Sequence, residues 1–331
     1  MTPLSLLDSL SVAATPIEGV RTRAESLLRS GDACEARALI VSALPAIERS
    51  GDRALLRQSV NLLGAASFEL GDLTDAEAAF HRVLDLARRD GDDLLVARAT
   101  NNLGAIANVR GQRDEALAMY ALAVAAYQRL GQSRGLAHAY HNMAITFRDV
   151  GLLDRADEHE RRAIEFAREA DTPHVIALAR IGRAEISLLR GDARLAEATA
   201  LLVAREFADH PDRIEEANAL RVAGTARLAL GRMDGAHRFL SHALTLARKH
   251  GAALTEAETL RALAQLHARN GDVFEARELA GLAIGLFDRL GARADRDALE
   301  AWIAARVAPA PSAQSVSTDH TQNPSPDRAR Q

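Results

Sequence analysis

His138 and His141 stand three residues apart, a spacing that on a helix can present two imidazoles to one metal ion. Metal-binding helices usually need a third ligand, and none falls at a suitable spacing from this pair, so neither a metal nor a cofactor is expected. Asp157, Glu158, His159 and Glu160 form a run of acids and imidazole that reads as the exposed outer face of a helix. Cys34 adjoins Glu35 near a helix start; the acid raises a thiol's pKa and the helix start lowers it, which gives no reason to expect reactivity. A glycine-rich phosphate loop, a nucleophile elbow and an HExxH pattern are all missing from the sequence. The residue types point to binding, and no enzyme is expected.

The elements that would position such residues repeat. Glycine occupies positions 31, 51, 71, 91, 111, 131, 151, 191, 231, 251, 271 and 291, all on a grid of 20 residues. The two remaining grid points hold other turn formers, Asp171 before Thr172-Pro173, and Pro211 at an expected first helical position. With 21 glycines in 331 residues, chance would place roughly one on those grid points. Between them the apolar spacing is helical, as in Ala99, Leu103, Ile106 and Ala107. Each unit is therefore one helix, ended by a residue able to turn left-handed, and neighbouring helices run antiparallel.

Alternate units differ, so the full period is 40. Five residues after every second loop glycine stands alanine: Ala36, Ala76, Ala116, Ala156, Ala196, Ala236 and Ala276. Acids such as Asp32, Asp72 and Asp192 follow loop glycines, while Arg88, Arg129 and Arg168 close helices, in accord with the helix dipole. Most of the charge is thereby accounted for without function.

Composition agrees with a helical array. Hydrophobic residues make up 48% and aromatics 4%, so the core is built from small aliphatic side chains. A formal net charge of −4 lacks the excess of cations that a row of phosphates demands, and no nucleic acid partner is expected. One cysteine allows no internal disulfide. No run of 18 apolar residues and no basic leader segment is present, which predicts a cytoplasmic protein without a membrane partner.

Leu103-Gly104, Gly111, Ala116, Tyr120 and Ala123 follow the small and large residue order of a tetratricopeptide repeat, and Leu63-Gly64, Gly71, Ala76, Phe80 and Val83 repeat it. The resemblance spans about Gly19 to Gly291, although Thr100 stands where the family carries an early tryptophan and the period is 40 rather than 34. The longer variety resembles the repeats of kinesin light chains, LGN-type polarity adaptors and bacterial peptide-sensing regulators, whose Asn-Asn-Leu stretch is matched by Asn101-Asn102-Leu103. It implies an all-α, right-handed superhelical solenoid of seven antiparallel helix pairs with a capping helix. The expected organisation is a segment over 1–16, a repeat domain over 17–306 and a disordered tail over 307–331. Leu299, Trp302 and Ile303 give the cap its apolar stripe.

In this family the first helix of each pair lines the concave groove. Carried over by distance from each loop glycine, the groove row includes Asn61, Asn101, His141, Ile181, Arg221 and Arg261, and beside it Arg98, His138 and Leu178. The amides of Asn61, Asn101, Asn102 and Asn142 can both donate and accept, as gripping a peptide backbone requires. Arg98, Arg148, His138 and His141 can hold a carboxylate. The expected function is an interaction module that captures an extended protein or peptide segment. The alternative is a sensor arm that changes superhelical pitch on binding a signalling peptide and acts through a partner protein.

Overall fold

The computed structural model describes residues 17–210 and 213–306. They form fifteen helices: α1 (Ile17–Arg29), α2 (Ala33–Ser50), α3 (Arg53–Glu69), α4 (Leu73–Asp90), α5 (Asp93–Val109), α6 (Arg113–Arg129), α7 (Ser133–Asp149), α8 (Leu153–Glu169), α9 (Pro173–Leu189), α10 (Ala193–Phe207), α11 (Ile214–Ala229), α12 (Met233–Lys249), α13 (Ala253–Arg269), α14 (Val273–Arg289) and α15 (Arg293–Arg306). Among the described residues there is no strand. Pro211 and the expected segment and tail at 1–16 and 307–331 lie outside the described residues.

All twelve grid glycines have positive φ, and Asp171 takes the same left-handed conformation at φ 47°. Behind each such residue except Gly51 the chain closes the helix with a six-residue backbone bond, as in Asp72 N–H to Ser67 O at 2.8 Å and Gln112 N–H to Ala107 O at 2.9 Å. At the other end Asp52, Asp92, Asp192 and Asp272 accept from the amides of Leu55, Leu95, Leu195 and Glu275. Each such cap contributes about 1 kcal/mol to its helix.

The helices pair in sequence order, and the seven alanines of the 40-residue period are fully buried at the crossings. Small residues let the two backbones of a pair approach, and a large residue fills the adjoining space. A side-chain carbon at Gly64 would stand 2.7 Å from the Phe80 ring, one at Gly104 2.7 Å from Tyr120, and one at Gly224 2.7 Å from Leu240. Helix α15 covers the last pair: Leu299 is buried, with Trp302 and Ile303 packed beside it. None of the helices is long and apolar enough to cross a membrane, among the described residues.

The array curls until its ends meet. The loop at Gly31, between α1 and α2, lies against the backbone of His250 and Gly251, between α12 and α13. One pair further on, a side chain at Gly71 would stand 2.8 Å from the Cα of Leu290, and one at Gly291 2.6 Å from Leu73. The loops of the first two pairs thus form a seam with those of the last two, 220 residues along the chain.

Candidate functional site

The odd-numbered helices carry the groove row, and the structure divides it into an amide half and a charged half. In the amide half Asn142 Nδ2 donates to Asn101 Oδ1 across neighbouring helices at 3.4 Å. Beneath them Thr146 Oγ1 donates to Asn108 Oδ1 at 2.8 Å, and Arg113 Nη1 donates to the same oxygen at 2.9 Å. Asn61 Oδ1 is screened from solvent and accepts no hydrogen bond, while Asn102 is partly exposed and has no side-chain partner among the described residues.

From α7 to α15 the row becomes a chain of ion pairs. Arg113 lies 3.4 Å from Asp149, and Asp149 lies 3.1 Å from Arg148. Arg148 bonds Glu185, whose other oxygen accepts from Arg221 at 2.6 Å; Arg221 reaches Glu258 at 3.1 Å. Arg261 then lies 3.9 Å from Glu258 and donates to Asp295 of the cap at 2.7 Å. Burial pushes the Glu185 carboxyl up, but Arg148 and Arg221 together hold it well below the usual carboxylate range. Four arginines and four carboxylates cancel along this ladder, which ties six helices edge to edge.

Between the halves sits a carboxyl in an apolar place. Glu160 is 1% exposed and occupies the register that Phe80, Tyr120 and Leu240 fill in other pairs. Its oxygens lie 3.0 and 3.2 Å from His141 Nδ1, and it packs against Gly182, where a side chain would collide with it. Burial raises its pKa, opposed by His141 and Arg148. His138, one turn earlier on α7, has no hydrogen-bond partner among the described residues; burial lowers its pKa to about 4, helped by His141, His174, Arg134 and Arg98.

The expected site residues therefore separate into three sets. Asn101 and Asn142 meet; Arg148 and Arg221 are joined through Glu185; His141 is taken by Glu160. Asn61, Asn102, Arg98 and His138 keep unshared side-chain groups on the same face. One expectation is corrected: Asp157, His159 and Glu160 are buried rather than exposed, and only Glu158 faces outward. Asp157 pairs with Arg161 and Arg183, and the His159 ring lies 4.9 Å from Phe147. Residue charge alone suggested a solvated run; the helical period places three of its four members toward neighbouring helices. The ladder as a network went unread, although opposite charges recurring 36 or 37 residues apart, a little under one period, are its signature. No group of three or more potential metal ligands comes together among the described residues.

Residues 95–169 match the model of the tetratricopeptide repeat. This stretch carries tetratricopeptide repeats. It holds α5 to α8, and with them the Asn101–Asn142 contact and both histidines of α7. Solved structures similar to the chain include helical solenoids of the same kind. The Rap conjugation gene regulator of plasmid pLS20, in complex with the Phr* peptide, superposes with TM-score 0.71 at 13% identity, over 89% of this chain and 82% of that one. NprR in complex with its cognate peptide NprX gives 0.61 at 15%, over 87% and 83%. A Rap protein with competence and sporulation factor gives 0.60 at 15%, over 88% and 100%. A sequence comparison with curated proteins finds no match.

Proposed function

We propose that this tetratricopeptide-like solenoid is a binding module that captures an extended peptide or protein segment in its concave groove. The observation that carries the reading is the amide half: Asn101 and Asn142 touch across adjacent helices, with Asn102 and Asn61 alongside, in a row that faces inward. Amides in register one repeat apart can donate and accept along a segment's backbone whatever its side chains. The peptide complexes of the Rap and NprR solenoids support the same choice of ligand class. Arg98 and His138 then face the segment's side chains and ends, while Arg148, Arg221 and His141, held by Glu185 and Glu160, line the groove beside it. The reading assigns no catalytic step, cofactor or membrane or nucleic acid partner, and the expected compartment is the cytoplasm.

The test starts from a linear peptide selected against the full chain from a random-sequence display library. Replacing Asn101 and Asn142 together by Ala is expected to weaken its binding by about tenfold or more, the loss of one or two hydrogen bonds. Unchanged affinity in that variant, or a library that yields no binder, overturns the groove reading.

A second reading, that the module is a sensor whose pitch changes on binding, is favoured by the seam between the end pairs, which rests on a few contacts at Gly31, Gly71 and Gly291. An arm of this kind acts through a partner protein. Small-angle scattering separates the two: a passive holder keeps its radius of gyration when the selected peptide is added, and a sensor does not.

A further inference from the structure

The 40-residue period shows what fills the space over each first helix, and the second pair lacks it. Where Ala79 stands, other pairs carry residues such as Met119, Phe239 and Leu279; where Ser67 stands, others carry Leu27, Phe147 and His267. Only the second and fifth pairs are small at both positions. In the fifth, with Ser187 and Thr199 there, Arg183 at the register of Leu63 crosses to Asp157 at 2.7 Å and occupies the place. In the second no such side chain is present, and a hollow of about 270 Å³ is left between α2, α3 and α4. Val60 and Leu63 of α3, Ala79 of α4 and the half-exposed Val41 of α2 form apolar walls. Ser67 also lines it; the residue is fully buried, and its hydroxyl has no hydrogen-bond partner among the described residues. The arginines that line it are already paired, Arg37 with Asp72 and Asp75, and Arg82 with Glu48.

We propose that this hollow is a binding site for a small uncharged molecule, largely apolar, that carries one hydroxyl or N–H group for Ser67. An engineered apolar cavity of about 150 Å³ holds one benzene ring, so a hollow of about 270 Å³ has room for two fused rings. The walls of Val41, Val60, Leu63 and Ala79 gain by exchanging water for such a ligand. A buried hydroxyl without a partner is unfavourable, and because serine both donates and accepts, a ligand hydroxyl restores the missing bond. An anion finds no free charge there, since both lining arginines have acids. None of the proposed groove residues lines the hollow, so this ligand is distinct from the captured segment and its test is independent of the groove reading.

The experiment follows the Val and Leu methyl groups of the full chain by NMR during titration with 2-naphthol, and with 2-methylnaphthalene, which has the same shape without the hydroxyl. The expected result is saturable shifts at Val41, Val60 and Leu63, with 2-naphthol bound about fivefold more tightly, the effect of one hydrogen bond. Ser67→Ala is expected to bring 2-naphthol down to the affinity of 2-methylnaphthalene and to leave the latter unchanged. Ala79→Met supplies the side chain that Met119 provides one period on. It is expected to abolish binding of both probes while helical content and the urea midpoint are kept. Methyl groups of Val41, Val60 and Leu63 that ignore 2-naphthol overturn the site, as do shifts that persist in a folded Ala79→Met. Equal affinities of the two probes, or a Ser67→Ala variant that binds 2-naphthol as the wild type does, overturn the part given to Ser67.

Discussion

Glu160 is a carboxyl where its counterparts are Phe80, Tyr120 and Leu240, and the protein accommodates it with one imidazole and one glycine. Burying a carboxylate costs several kcal/mol, and a single partner at 3.0 Å only partly offsets that cost. Replacing both members of such a pair with hydrophobic residues of similar size is often stabilising. The double change Glu160→Leu with His141→Leu is accordingly expected to raise the unfolding free energy by about 1 kcal/mol, read from urea denaturation at pH 7. The gain should shrink toward acid pH. A group whose folded pKa is raised destabilises while ionised and ceases to do so once pH falls through that pKa. This residue was not legible from its own surroundings in the chain: its run of acids looks solvated, and only comparison with Tyr120 and Phe80, one and two periods back, gives its place away.

Among elements, the ladder is what joins one first helix to the next on the inner edge. Glu185 sits between Arg148 and Arg221, all three side chains largely shielded from water. Glu185→Gln leaves two buried cations short of a partner and is expected to cost about 3 kcal/mol at pH 7, measured by denaturant unfolding. Because Arg148 and Arg221 depress this carboxyl, its contribution is complete above about pH 4.3, the unfolded value, and is lost as pH falls through its lower folded pKa. The wild type should therefore lose stability below that point more steeply than Glu185→Gln. Helices, turns and pairing were readable from the grid glycines and the seven alanines, because left-handed turns and close crossings admit few residue types. Asp171 is instructive: it holds the same left-handed turn at φ 47° with a side chain that tolerates it. Which charges would find each other was not readable, since ion pairing depends on how far neighbouring helices are offset.

At the scale of the whole molecule, the seam converts an open array into a closed turn around the groove. Leu73 packs against Gly291, and the Gly71 loop touches Leu290. Leu73→Asp places a charge in this contact and at the edge of the core that Leu73 shares with Val60 and Ala76. It is expected to raise the radius of gyration in small-angle scattering with helical content unchanged by circular dichroism; an unchanged radius would mean that the seam does not set the closure. A repeat array is held by nearest-neighbour interfaces, so such a contact between distant pairs alters shape more than stability. The number of pairs follows from the period, but their curvature is a sum of small offsets that no single residue records.

The central claim, that the concave face captures an extended segment, is tested most directly by amide hydrogen exchange of the full chain with and without the selected peptide. Slowed exchange confined to the groove-lining helices α3, α5, α7 and α9 is the predicted result. Protection instead on α4, α6 and α8, or on none of the helices, would contradict it.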